Sequence, residues 1–97
     1  MKPDESPDAE VMTAIHQIVE QETGRFGFES LKVEAANDHD GDPILRIAAN
    51  YGNGGEPVDI GALVRVLSQL CERLFELGED RFPHIRFHFP EDRKVAG

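Results

Sequence analysis

The chain is poor in cysteine, aromatics and positive charge: one Cys, six Phe, one Tyr and no Trp, with 10 Lys and Arg against 19 Asp and Glu. Each shortage removes a class of protein. A single thiol, Cys71, cannot close an internal disulfide, so these 97 residues are not a disulfide scaffold. Apolar runs are interrupted every few positions, far short of the roughly 20 residues a membrane-spanning helix needs. Met1-Lys2-Pro3-Asp4-Glu5 lacks the apolar stretch of a secretory signal, and the expected location is the cytoplasm. The formal charge of −9 repels nucleic acid and anionic lipid at long range, and it is lopsided: residues 1–42 carry a net −8 and residues 43–97 a net −1. No membrane partner is expected, and nucleic acid is a disfavoured one.

What is present is periodicity. With 39% hydrophobic residues in regular positions, the chain is expected to form a single domain over 1–97, with a disordered tail at 1–6 and a charged tail at 91–97. The strongest signal is residues 59–77. At about 100° per residue, Ile60, Leu63, Val64, Val66, Leu67, Leu70, Cys71, Leu74, Phe75 and Leu77 fall in one half of a helix, and Gly61, Ala62, Arg65, Ser68, Gln69, Glu72, Arg73 and Glu76 fill the other. A core-facing stripe needs only about 100° of arc, so this helix covers more than one surface. Asp59 is its expected cap and Gly78 its stop. Leu67 and Leu70 are placed in the core, and Cys71 is read as a small buried hydrophobe.

Val11, Met12, Ile15, Ile18 and Val19 predict a second helix over 7–22, capped by Ser6, with Pro7 in its first position and Gly24 as a left-handed stop. Phe26 and Phe28 follow as staples onto the core. Leu31, Val33 and Ala35 alternate with Lys32, Glu34 and Ala36, the period of a strand with one wet face. Residues 37–43 are dense in turn formers, and Leu45, Ile47, Ala49 and Tyr51 then alternate with Arg46, Ala48 and Asn50, which makes a hairpin. A last strand over 84–89 alternates Ile85, Phe87 and Phe89 with His84, Arg86 and His88, between Pro83 and Pro90.

The order is α-β-β-α-β, an α+β class: two layers, a three-stranded sheet and both helices packed on one face. The long helix acts as a crossover, so the third strand runs parallel to the second. Strand order 1-2-3 is favoured over 2-1-3.

Candidate chemistry is thin. Asp38, Asp40 and Asp42 match the first three ligands of a calcium loop, but Pro43 and Ala49 stand where that loop needs Gly and Glu, so the segment reads as a polar turn. Gly52-Asn53-Gly54-Gly55 precedes a helix but is followed by Glu56, Pro57 and Val58 rather than the Lys and Ser or Thr of a phosphate loop. His84 and His88 lie about 13 Å apart on a strand, too far to share one ion. No Ser-His-acid or Cys-His spacing is present, so no catalytic residues, metal ligands or cofactors are assigned. The element order, together with the G-x-x-G of residues 52–55, resembles type II KH domains, which implies single-stranded nucleic-acid binding. In that family the loop joins two helices and is backed by basic residues; here it follows a strand with no Lys or Arg nearby.

One feature remains. Lys32, Arg46, Asn50, His84, Arg86 and His88, with Glu34, share the sheet face that no helix covers, a local reversal of sign in an acidic chain. The reading is a small non-catalytic protein–protein interaction module, self-associating or binding another protein, that uses this face and a helix edge of Val66, Phe75 and Leu77. The alternative is single-stranded nucleic-acid binding, disfavoured because Tyr51, Phe87 and Phe89 point into the core and leave no stacking platform. An enzyme ranks third.

Overall fold

The computed structural model describes residues 8–90 and 95–96. Helix α1 spans Ala9–Thr23 and buries Val11, Ala14, Ile15, Ile18 and Val19. Asp8 occupies the N-cap position; the predicted cap Ser6 and Pro7 lie outside the described residues. Gly24 does not end this helix in a left-handed conformation. The chain continues into a single 3₁₀ turn, Gly24–Phe26, and turns left-handed at Gly27, whose φ is 93°. The extra turn swings Phe26 inward, where it is almost fully buried.

Strand β1 (Phe28–Asn37) and β2 (Pro43–Tyr51) form the expected antiparallel hairpin. A short strand β3 (Val58–Asp59) leads into α2 (Ile60–Glu76), and β4 (Phe82–His88) then pairs with β2 in parallel. The sheet order is β1-β2-β4, the mixed arrangement favoured from the sequence. A further strand, β5 (Val95–Ala96), pairs in parallel with β3, a two-residue ladder that the sequence pattern does not announce. Both helices pack over the same side of the three-stranded sheet, α1 against β1 and α2 against β4.

Register sorts the sheet residues. Leu31–Ala49–Phe87, Val33–Ile47–Ile85 and Ala35–Leu45–Pro83 form rows facing the helices. Leu45, Ile47 and Ala49 of the central strand are fully buried there, and they join Val66, Leu70 and Leu74 of α2 in one core. At about 25 cal/mol per Å² of apolar surface, this layer supplies most of the folding drive.

The end of α2 follows its sequence signals. The Asp59 carboxylate accepts from the Gly61 amide at 3.0 Å. Past the other end, Gly78 takes φ 79°, while the Glu79 amide reaches back to the Leu74 carbonyl at 2.9 Å, a Schellman-type closure. The loop of residues 52–57 has a structural job. Gly55 sits at φ 97°, and a Cβ there would lie 2.6 Å from the Arg25 carbonyl oxygen and the Gly27 amide nitrogen. Only glycine lets the two backbones approach closely enough for the Glu56 amide to bond the Arg25 carbonyl at 2.7 Å.

Candidate docking surface

The orientation of α2 differs from the sequence reading by roughly 70° about its axis. Ala62, assigned to the polar half, is fully buried, and the inward stripe is Ala62, Val66, Leu70 and Leu74. Leu67, at the centre of the apolar half, is 40% exposed. The cause is α1. The Glu22 carboxylate accepts from Arg65 Nε at 3.1 Å and from Gln69 Nε2 at 2.8 Å, so the Arg65–Gln69 side of α2 faces α1. These two bonds, Gln69's first, hold the Glu22 carboxyl below the usual carboxylate range.

The rotation corrects two of the three expected helix-edge residues. Val66 is fully buried, and Leu77 packs against the core, so neither offers an interface; Phe75 is 85% exposed. The surface stripe is instead Ile60, Val64, Leu67 and Phe75, with half-buried Cys71 between the last two. It lies on the side of α2 turned away from α1, above the β4 edge. Its lower end meets β4 in a recess of about 170 Å³, lined by Cys71, Leu74, Phe75, Glu79, Asp80, Arg81, Phe82 and Pro83. Glu79 anchors this corner. Its carboxylate accepts from Arg81 Nε at 2.8 Å and from the Arg81 amide at 3.0 Å, contacts that hold the carboxyl below its ordinary range.

The opposite sheet face carries the residues expected there. Its rows are Ala36–Ile44–Phe82, Glu34–Arg46–His84, Lys32–Ala48–Arg86 and Ser30–Asn50–His88. Arg46 faces Glu34 at 3.9 Å, and Asn50 donates to Ser30 Oγ at 3.1 Å. Among the described residues, Lys32 and Arg86 form no ion pair, and they flank the small Ala48. The first row went unnoticed in the sequence. Ile44 is buried between Ala36 and Phe82 on the open face, and Phe82 stays 54% exposed beside His84, their rings 5.7 Å apart. The signal was present: an aromatic directly before Pro83, in the same parity as His84.

The other candidate features are occupied by structure. Asp38 Oδ1 accepts from the amides of Asp40 and Asp42, both at 2.9 Å, so the acidic turn is an Asx-type hairpin connection. The glycine loop leaves β2 and enters β3, so it does not join two helices as in KH domains. Tyr51 stacks on Phe89 at 4.4 Å inside the core, and its hydroxyl meets Thr23 Oγ1 at 2.6 Å. Burial raises the Tyr51 pKa, and the Thr23 bond partly offsets that rise. Among the described residues, no helix is long and apolar enough to cross a membrane. No protein-family model, curated protein or solved structure matches this chain.

Proposed function

We propose that this protein is a non-catalytic interaction module that docks another protein chain along the outer stripe of α2 and the adjoining β4 edge. One observation carries the reading: Ile60, Val64, Leu67 and Phe75 form a continuous apolar stripe on a single helix, each at least 40% exposed, with Phe82 beside its end. Scattered exposed apolar residues are normal, but a contiguous rank of large ones is a mark of recognition surfaces. Across the β4 edge from this stripe, on the other face of the sheet, stand the polar residues His84, Arg86 and His88. Nucleic acid is the weaker reading, since stacking successive bases needs several exposed aromatic side chains and, of the described Phe and Tyr residues, the open-face rows hold Phe82 alone.

The test is site-specific photo-cross-linking. A photoreactive residue at exposed Ser68, next to the stripe, should give a discrete protein adduct in the native cell, and Val64→Asp with Phe75→Ser should abolish it. An adduct unaffected by that pair, or one equally strong from Thr13 on the outer side of α1, would sink the reading.

A further inference from the structure

We infer that the segment docked here is an extended peptide alternating apolar and acidic side chains, added as a fourth strand along the outer edge of β4; this rests on the interface reading above. Among the described residues β4 ends the sheet on its side, and an edge strand leaves alternate backbone N–H and C=O groups without a ladder partner. Two unlike surfaces meet at that edge. On the helix side runs the apolar stripe of α2, with Val64 and Phe75 its most exposed members. On the other side stand His84, Arg86 and His88, with Arg86 in no ion pair among the described residues.

A strand laid beside β4 sends successive side chains to these two faces in turn. Apolar residues of one parity would come to rest under α2, and acidic residues of the other would sit cross-strand from Arg86 and the histidines on either side of it. This is strand addition, in which main-chain bonds supply affinity and the alternating side chains supply selectivity.

A second copy of this chain fits less well. Antiparallel pairing of two β4 edges centred on Arg86 would set that guanidinium against its own counterpart, and like charges directly opposite are destabilising. Arg86 thus guards the edge against self-pairing in that register while leaving it open to an acidic strand.

The experiment titrates the isotopically labelled full chain with a capped octapeptide of alternating valine and glutamate, and in parallel with the same peptide carrying lysine for glutamate. The glutamate peptide should slow amide exchange at alternate residues of β4 and shift the Val64 and Leu67 methyl signals. Arg86→Glu should weaken its binding roughly tenfold and let the lysine peptide bind instead. Any of four results overturns the inference: equal binding of both peptides, stripe shifts without β4 protection, no binding at millimolar peptide, or β4 protection from dimerisation without peptide. Each of those leaves the interface reading standing if the Ser68 adduct is still lost in the stripe variant; absence of that adduct removes the reading itself.

Discussion

The two flanks of the molecule are built alike and finished differently. On each, a helix lies against an outer strand of the sheet, α1 on β1 and α2 on β4. Helix α1 spends nearly all its apolar residues inward; Met12 is its one large hydrophobic residue left at the surface, and its outer side carries His16 and Glu20, paired at 3.5 Å. The His16 ring meets Phe28 of β1 edge-to-face at 5.7 Å and closes that side with a polar group. Helix α2 has a buried stripe and a second apolar stripe beside it that nothing among the described residues covers. The difference teaches that an apolar arc about twice the width of a core stripe is a statement about surface as well as core. The helix with the narrower arc seals its edge, and the helix with the wider one presents its edge.

The sharpest way to break this comparison is within α2 itself. Leu70→Ala empties a fully buried site and should cost about 2–5 kcal/mol, read by urea unfolding. Val64→Ala, on the outer stripe, should cost less than about 0.5 kcal/mol, and equal losses at the two positions would erase the distinction between the stripes. On the sealed flank, Gly55→Ala forces a side chain into backbone at φ 97° and should cost about 1–3 kcal/mol; an unchanged midpoint would mean that the loop does not clamp the 3₁₀ turn. Tyr51→Phe removes a buried hydroxyl and leaves Thr23 bonded to the Val19 carbonyl, for a loss of about 1 kcal/mol in the same assay.

The smallest effect is one of pH. Glu22, where the helices meet, and Glu79, at the α2–β4 corner, both have lowered carboxyl pKa values in the folded state. The folded chain therefore binds protons less readily than the unfolded one at these sites. Their stabilisation is present above the ordinary carboxylate range and is lost as pH falls through the folded values. Acid unfolding of Glu22→Gln with Glu79→Gln should show a flatter dependence below about pH 4.5 than the parent; parallel curves would show that neither contact matters to folding.

Much of this was readable from residue order. Strict alternation in Leu31–Ala36 and Leu45–Tyr51 assigned each residue to the wet or dry face, because a strand's side chains can point only two ways. The open-face residues Lys32, Arg46, Asn50, His84, Arg86 and His88 all stand on that face by this rule. The chain reversal at residues 38–42 and the ends of α2 were legible because Asp, Gly and helix-capping chemistry act within a few residues. Residues 95–96 were not legible, since a two-residue strand has no period to detect.

Local pattern by itself thus determined the element types, the α+β class and the wet side of the sheet, since each depends on side-chain direction within one segment. Only tertiary packing decided which part of the α2 arc turned inward. A helical wheel ranks residues by hydrophobicity and says nothing of where the neighbouring helix will press. With α2 packed on α1, Ala62 and Val66 lie in the core while Arg65 and Gln69 meet Glu22, forty-odd residues away in the chain. The same rotation left Leu67 and Phe75 outside, and so created the surface on which the proposed function depends.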